Sequence, residues 1–166
     1  MNTERATAPL AVVVGACAHS LAAIRGLGRS GVRVIALESD RNRPGSRSRY
    51  AAMHYAADTN GDGLIDALIE LHGKLRPASP PVLMLTNDRM VKTVANHWPR
   101  LASLYRLSWA AHTAATASLL LKSNIEAAGR AVGLNYPASH TLQRVEDVAG
   151  VAAGLNFPLI VKPVAP

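Results

Sequence analysis

Residues 10–15 read Leu-Ala-Val-Val-Val-Gly, a continuous apolar run that ends in a glycine. A short run rich in β-branched residues, with no polar alternation, is typical of a strand buried on both faces of a parallel sheet. The next segment has helical periodicity, and Gly31 supplies its C-terminal stop. The apolar residues of this helix are Leu21, Ile24 and Leu27. Residues 32–37 repeat the buried-strand pattern, so the order of elements predicts a βαβ unit with a right-handed crossover.

The alternation of strands and helices continues beyond this unit. Three further strands are predicted, at 51–56, 82–85 and 105–108. The first helix between them has a buried face formed by Leu64, Ile65, Leu68 and Leu71. Asp88 is placed to cap the next helix, which runs to about Trp98. We therefore predict an α/β, Rossmann-like domain over residues 10–110, with four or five parallel strands and helices on both faces of the sheet.

The pattern changes in the last third of the chain, and we predict a domain boundary after residue 110. Lys122 lies on a predicted helix that Gly133 ends. The apolar stripe of this helix consists of Leu121, Ile125, Ala128 and Val132. Residues 157–162, Phe-Pro-Leu-Ile-Val-Lys, predict a closing strand that ends in a lysine. Residues 111–166 are thus expected to be the start of a second, incomplete domain.

The composition is that of a soluble globular protein. Hydrophobic residues make up 49% of the 166 residues, yet no segment is long enough to span a membrane, so no membrane association is expected. Residues 1–9 are polar and predict a flexible N-terminus rather than a signal peptide. The single cysteine, Cys17, excludes a disulfide framework and suits a reducing compartment. A cytoplasmic location is therefore expected.

The chain is basic, with 18 lysines and arginines against 11 acidic residues and a formal net charge of +7. Aromatic residues make up only 4%, too few for a platform on which nucleic-acid bases stack. We therefore expect no nucleic-acid partner. One loop concentrates positive charge in Arg41, Arg43, Arg47 and Arg49. These arginines either grip a phosphate or a carboxylate or belong to a solvated loop, and the sequence leaves both interpretations open.

Motifs for dinucleotide, metal and nucleophile chemistry are incomplete. The turn at 15–20 keeps only the first glycine of G-x-G-x-x-G, which favours a plain strand-to-helix turn over NAD binding and leaves a small-molecule site at this edge open. Residues 58–63 begin like a calcium loop, but Ile69 stands where the loop requires glutamate, so a polar turn is favoured. The six histidines lack metal-ligand spacing, and Cys17 has no paired base. We expect no metal ligand and no catalytic residue in this chain.

Three passages resemble the ATP-grasp superfamily, and in particular the N-terminal part of carboxylate–amine ligase-like proteins of the D-aspartate ligase type. The passages are Gly15-Ala16 with Gly31-Val32-Arg33-Val34, then Ser48-Arg49-Tyr50, and finally Lys122 with Gly133-Leu134, Pro137 and Phe157-Pro158-Leu159-Ile160-Val161-Lys162-Pro163. The resemblance covers nearly all of this chain but only the first part of such an enzyme. It implies a pre-ATP-grasp domain followed by the first elements of a truncated ATP-grasp domain.

The resemblance also implies roles for particular residues. Lys122 and Lys162 would contact nucleotide phosphates. The first domain would contribute to the site for a small-molecule carboxylate or amine, through Gly15, Ala16, His19, Ser20 and Arg49. The complete enzyme would use ATP and Mg²⁺ to phosphorylate the carboxylate, and the amine would then displace phosphate from the acyl-phosphate.

The family's phosphate-covering glycine-rich loop, adenine-contacting strand and Mg²⁺ ligands have no counterpart in this sequence. We therefore expect the chain alone to be inactive and to bind ATP weakly. The alternative interpretation is a stand-alone Rossmann-like module that binds a small anionic ligand or a partner protein. The strand predicted at 157–162 has no partner within the chain, which favours the ligase fragment. Pairing of two such edges would give a homodimer.

Overall fold

The computed structural model describes residues 9–137 and 139–163. The chain divides into two compact units, the first ending at Ala117 and the second beginning at Ser118. The sequence placed this boundary after residue 110. Trp109 and Ala110, at the end of the predicted domain, pack against the core of the first unit. The predicted flexible N-terminus lies outside the described residues except for Pro9.

The first unit contains a four-stranded sheet in which all paired strands are parallel. The strands are β1 (Leu10–Val14), β2 (Arg33–Glu38), β3 (Ala52–Tyr55) and β4 (Val82–Leu85). Their spatial order is β3-β2-β1-β4, with Val12 of β1 opposite Ile35 on one side and Leu83 on the other. The segment predicted as a fifth strand contributes a single parallel bridge between Arg106 and Val82. The predicted parallel α/β sheet is confirmed.

Six α-helices and three short 3₁₀ turns connect and follow these strands in the described residues. The helices are α1 (Ala18–Arg29), α2 (Gly63–Leu75), α3 (Asp88–Leu101), α4 (Thr113–Ser118), α5 (Lys122–Ala131) and α6 (Val148–Ala153). The 3₁₀ turns are Pro44–Arg47, Ala110–His112 and Val145–Asp147. Gly31 and Gly133, predicted as helix stops, have positive φ angles of 77° and 76° that glycine adopts without strain.

The two central strands, β1 and β2, are buried on both faces. Successive side chains of a strand point to opposite faces, so each of these two strands contributes to two hydrophobic clusters. One cluster joins the sheet to α2 and α3 and contains Val12, Val14, Ile35, Leu37, Leu68 and Val94. The other joins the sheet to α1 and contains Val13, Val34, Ala36 and Ile24. The helices therefore lie on both faces, as the continuous apolar runs predict.

The start and end of α3 differ from the prediction. Asn87, rather than Asp88, is the N-cap residue, and its side chain accepts a hydrogen bond from the Met90 amide at 2.9 Å. Both residue types cap helices well, and the amide side chain occupies the position just outside the helix. Pro99 lies inside the helix, which continues to Leu101 because that side chain is fully buried in the core.

Tyr105 gives a test of the core that depends on pH. Its side chain is buried and its hydroxyl donates to the Leu68 carbonyl at 2.7 Å, while burial raises the pKa of the Tyr105 phenol. We expect Tyr105→Phe to lower the free energy of unfolding at pH 7 by about 1 kcal/mol, through the lost hydrogen bond. A raised folded-state pKa gives stability that is fully present below the unfolded pKa of about 10 and is lost as the pH rises further.

The free energy of unfolding of the wild type should therefore exceed that of Tyr105→Phe by less above pH 10. Only the wild type has a phenol at position 105, and that phenol ionises more readily in the unfolded chain than in the folded protein. Urea denaturation of both proteins at pH 7 and at pH 10.5 measures this difference. A difference that is the same at both values would contradict the assignment of Tyr105 as a buried neutral phenol.

The second unit departs from the prediction at its helix and at its closing strand. The predicted apolar stripe of α5 is not buried: Ile125 is 41% and Val132 is 74% exposed. The buried residue of α5 is Gly129, which faces Tyr136 and Leu134 across the turn that follows. A Cβ at Gly129 would lie 3.4 Å from the Tyr136 ring and 3.9 Å from Leu134, so the end of α5 packs on its own turn at this residue.

Residues 157–162 form no strand, and the predicted closing strand is wrong for this chain. A strand requires a hydrogen-bonded neighbour, and the described residues offer none to this segment. Its apolar side chains remain exposed, with Ile160 at 80% and Val161 at 89%. The segment is thus an apolar run without a partner in the described part of the chain.

Candidate functional site

The topology marks one edge of the sheet as the place for a ligand. The helix after β1 packs on one face and the helix after β4 packs on the other, so the chain leaves two neighbouring strands in opposite directions. In open parallel sheets, ligands bind in the crevice outside the carboxyl ends of such strands. A shallow groove of about 460 Å³ lies at this edge. It is lined by His19, Ala23, Met84, Leu85, Thr86, Asn87, Asp88 and Val91.

The start of the β1–α1 turn is tied into the protein rather than open to a ligand. Gly15 and Ala16 are buried. The Gly15 amide donates to the Leu37 carbonyl at 2.8 Å, and the Ala16 amide donates to the Glu38 carboxylate at 2.7 Å. The Ala16 carbonyl in turn accepts from the Gly45 amide at 2.7 Å. Gly15 and Ala16 therefore fix the shape of the turn and leave ligand contacts to other residues.

Glu38 is a positioning residue that the sequence did not single out. Its carboxylate is buried at the end of β2, where one oxygen accepts from Ala16 and the other accepts from the amides of Ser39 and Asp40 at 2.7 and 3.2 Å. A buried carboxylate that accepts several backbone amides is held in one orientation. Glu38 therefore locks the loop after β2 to the turn after β1. The sequence feature that could have indicated this role is an acidic residue directly after the apolar run of the second strand.

The N-terminus of α1 presents one exposed side chain to the groove. Ser20 is fully buried, and its hydroxyl donates to the Cys17 carbonyl at 2.9 Å. His19 is exposed and lines the groove, with its Nδ1 3.8 Å from the Cys17 sulfur. Burial raises the pKa of the Cys17 thiol, but hydrogen bonds from Ser20 and His19 outweigh it and lower that pKa to about 6. The turn thus holds a cysteine that is largely thiolate at neutral pH.

The state of Cys17 can be measured by alkylation. Because the thiolate is the reactive form, the iodoacetamide rate should reach half its maximum near pH 6, below the ordinary thiol value of about 8.5. Ser20→Ala removes the hydroxyl that lies 3.6 Å from the Cys17 sulfur and should move the midpoint upward. Ser30→Ala, at the other end of α1, serves as the control and should leave the midpoint unchanged. A wild-type midpoint near 8.5 would contradict this account.

The structure does not bring Arg49 together with the turn at 15–20. Arg49 lies just before β3, at the amino ends of the strands, whereas the turn lies at their carboxyl ends. Its Nη2 donates to the Tyr50 hydroxyl at 2.9 Å. Arg49 therefore belongs to a different surface of the first unit.

The other arginines of the 41–49 loop do not converge on one point either. Arg43 pairs with Asp40 at 3.3 Å, and the Arg41 guanidinium lies 4.0 Å from the centre of the Tyr55 ring. Arg47 ends the 3₁₀ turn and is exposed. The loop as a whole packs on the β1–α1 turn through Gly45. This arrangement matches the solvated-loop interpretation more than a single anion clamp.

The calcium-like segment is a polar turn. The Asp58 carboxylate accepts from the amides of Asn60 and Gly61, and these hydrogen bonds lower the pKa of Asp58. The Asn60 side chain and carbonyl accept from Asn87 and Thr93, which fastens the turn to α3. Within residues 9–137 and 139–163, no cluster of three histidine, cysteine, aspartate or glutamate side chains could hold a metal ion.

Lys122 and Lys162 both lie in the second unit. Lys122 is the first residue of α5, and Lys162 ends the partnerless apolar segment. Neither ammonium group has a carboxylate within 4.0 Å among the described residues, whereas Lys74 pairs with Glu70 at 2.5 Å. The positive end of a helix dipole favours anions, so the α5 N-terminus and Lys122 act in the same direction.

No protein-family model and no curated protein sequence matches this chain. Solved structures do match it. N5-carboxyaminoimidazole synthetase from Staphylococcus aureus, complexed with ADP, superposes over 95% of this chain with a TM-score of 0.65 and 14% identity. The chain has the fold of the N-terminal part of this synthetase.

Two further structures agree. N5-carboxyaminoimidazole ribonucleotide synthetase from Thermotoga maritima covers 86% of this chain with a TM-score of 0.59 and 12% identity. The Aspergillus clavatus synthase, in complex with ADP and 5-aminoimidazole ribonucleotide, covers 91% with a TM-score of 0.56 and 16% identity. This chain spans 36% to 39% of the length of these proteins. The shared fold thus includes both units of this chain and less than half of each synthetase.

None of the helices in the described ranges is long and apolar enough to cross a membrane.

Proposed function

We propose that this chain is the N-terminal part of an ATP-grasp ligase that joins a carboxylate to an amine. The observation that carries the proposal is the extent of the structural likeness, which covers 95% of this chain and so includes the second unit. A Rossmann-like sheet alone serves many functions and would support none in particular. The second unit, with Lys122 at a helix N-terminus and Lys162 after an apolar run, is the part that favours a nucleotide-dependent ligase.

In this proposal Lys122 and Lys162 bind phosphate oxygens of the nucleotide. An ammonium group is a compact point charge with three donors, which suits a polyphosphate that carries charge on every phosphorus. Both lysines lack a carboxylate partner among the described residues, so their charge is available. ATP, when bound in the complete site, supplies the phosphoryl group that activates the carboxylate.

Mg²⁺ does not fit the residues that the structure describes. The described residues contain no cluster of acidic or imidazole side chains that could hold a metal, and Mg²⁺ requires oxygen ligands in octahedral geometry. Its ligands would have to come from a continuation of the chain. The roles left to this chain are to bind phosphate and to position a substrate.

The groove at the carboxyl ends of β1 and β4 is the proposed contribution of the first unit to the substrate site. Of the residues that the resemblance suggested, His19 alone is exposed in this groove, beside Thr86 and Asn87. Gly15, Ala16 and Ser20 are buried, and their hydrogen bonds hold the β1–α1 turn that carries His19. Arg49 lies at the opposite edge and is left out of this site.

The alternative function is a stand-alone Rossmann-like module that binds a small anion or a partner protein. The first unit supports it, because that unit has its own core and its own groove. The two proposals differ in what a longer chain would do. A ligase requires the remaining sequence for activity, whereas a module retains its binding without it.

The test is an activity assay on the protein continued through its downstream reading frame. ATP, Mg²⁺ and a panel of carboxylates and amines are supplied, and phosphate release is followed. A ligase should release phosphate only when both a carboxylate and an amine are present. The stand-alone module would be favoured if the rate of phosphate release did not depend on any carboxylate or amine of the panel. It would also be favoured if the extended protein bound no nucleotide.

A further inference from the structure

A second groove lies on the first unit, at the amino ends of β2 and β3 and therefore at the edge opposite the groove of His19. Its volume is about 590 Å³. Its lining includes Gly28, Arg33, Arg49 and Tyr50. The proposed ligase function gives this surface no role.

Tyr50 organises the positive charge of this groove. The Arg49 guanidinium donates to the Tyr50 hydroxyl at 2.9 Å and lies 5.0 Å from the centre of its ring, while the Arg29 guanidinium lies 5.9 Å from the same centre. Guanidinium groups are attracted to aromatic faces at such distances. The hydrogen bond from Arg49, with a further contribution from Arg29, lowers the pKa of Tyr50. Two arginines are thus held beside one phenol.

Tyr50 itself is held by Gly28 of α1. A Cβ at Gly28 would come within 2.6 Å of the Tyr50 Cβ and 2.9 Å of its ring, so only glycine allows this contact. The ring therefore lies against the helix backbone. The position of Arg49 follows from this packing, since Arg49 is hydrogen-bonded to the same side chain.

The positive charge of the groove is not neutralised within the described ranges. No carboxylate there lies within 4.0 Å of Arg29, Arg33 or Arg49, whereas Arg43, Arg100, Arg130 and Arg144 each have one. Each guanidinium carries five N–H donors in a fork that matches two oxygens of one phosphate or carboxylate. The Tyr50 hydroxyl accepts from Arg49 and so keeps its own proton free to donate.

We propose that this groove, defined by Arg33, Arg49 and Tyr50 with Arg29 beside them, binds a small molecule that bears phosphate groups. The groove is shallow and open, so it would contact one side of such a molecule. The hydrogen-bond donors are the planar guanidinium groups of the arginines and the hydroxyl of Tyr50. Donors of this kind recognise a tetrahedral oxyanion such as phosphate. The site is distinct from the groove at the carboxyl ends of the strands, so a ligand here does not compete with one beside His19.

The experiment uses the chain as it is, labelled with ¹³C at the tyrosine Cζ, and titrates it with inorganic phosphate, pyrophosphate and ADP without Mg²⁺ at constant ionic strength. Pyrophosphate should shift the Tyr50 signal to saturation, while Tyr55 and Tyr105 stay unchanged. Inorganic phosphate should bind more weakly than pyrophosphate. The affinity for ADP, compared with that for pyrophosphate, measures whether a nucleoside adds to binding. Arg33→Gln and Arg49→Gln should each lower the pyrophosphate affinity about tenfold.

The matched control is Arg106→Gln, which removes the same charge beyond β4 on the far side of the sheet and should leave the affinity unchanged. The proposal is overturned if sodium chloride produces the same shift, or if all three arginine variants bind alike. It is also overturned if a glutamate-rich peptide binds more tightly than pyrophosphate, which would make the groove a docking surface. Loss of binding in Lys122→Ala rather than in Arg49→Gln would assign the phosphate to the proposed nucleotide site instead.

Discussion

Lys122→Ala and Lys162→Ala are each expected to weaken ATP binding by about tenfold to a hundredfold in the protein continued through its downstream reading frame. In the proposed ligase, each substitution would remove one charge-assisted contact to phosphate, worth about 1.5–3 kcal/mol. The sequence contains four lysines, and the other two provide matched controls. Lys74 is exposed on α2 and paired with Glu70, and Lys92 is exposed on α3.

Lys74→Ala and Lys92→Ala should change the ATP affinity little, because exposed charges interact weakly through water. The measurement is an ATP titration of the extended protein and its four single variants in magnesium buffer. Equal affinities for the Lys122, Lys162, Lys74 and Lys92 variants would remove the phosphate-binding role of the first two. Equal losses in all four would indicate a response to net charge alone.

Gly15→Ala is expected to lower the free energy of unfolding of the first unit by about 2–5 kcal/mol. Gly15 has a φ of 95°, and a Cβ there would lie 2.3 Å from the Thr86 hydroxyl oxygen. The backbone conformation costs an alanine about 1–2 kcal/mol, and overpacking costs about 1–3 kcal/mol more. The Thr86 hydroxyl cannot turn away freely, since it donates to the Val14 carbonyl at 2.7 Å.

The control is Gly26→Ala on α1. A Cβ at Gly26 meets nothing within 4 Å, and the residue lies inside a helix, so alanine should stabilise the protein by about 0.5–1 kcal/mol. Urea denaturation followed by circular dichroism measures both variants. A Gly15→Ala protein as stable as the wild type would mean that the turn after β1 can relax, and the close approach of β1 and β4 at Thr86 would lose its structural importance.

The strands and helices of the first unit could be predicted because their signals are local. Residues 10–14 and 34–37 are uninterrupted apolar runs, and residues 82–85 follow two prolines that restart the chain. The apolar side chains of such a run point to both faces of a strand, so all of them are buried only inside a sheet that is covered on both faces. The alternation with helices then leaves a parallel order as the simplest arrangement.

The parts that could not be predicted depend on contacts between distant residues. Nothing near Glu38 in the sequence indicates that its carboxylate accepts from Ala16, a residue 22 positions away. Asn87 and Asp88 are adjacent and both cap helices well, so the sequence cannot choose between them. The path of the loop before β3 also decides where Arg49 lies, and no local pattern encodes it.

Residues 157–162 show the limit of local reasoning most clearly. Their composition is that of a buried strand, and a strand was predicted on that basis. The structure leaves them without a partner among the described residues, with Phe157 76% exposed. An apolar run of this kind is stable in water only when something covers it. In the proposed ligase, that cover is the remainder of the ATP-grasp domain.

Hydrogen exchange at residues 159–162 tests this central claim most directly. The amides of these residues should exchange rapidly in the monomeric 166-residue chain and become strongly protected in the extended protein, because a strand forms once its neighbours are present. The amides of Val12, Val13 and Val14 in β1 serve as the reference and should be protected in both proteins. Equally rapid exchange at 159–162 in both proteins, or full protection already in the monomeric chain, would contradict the account.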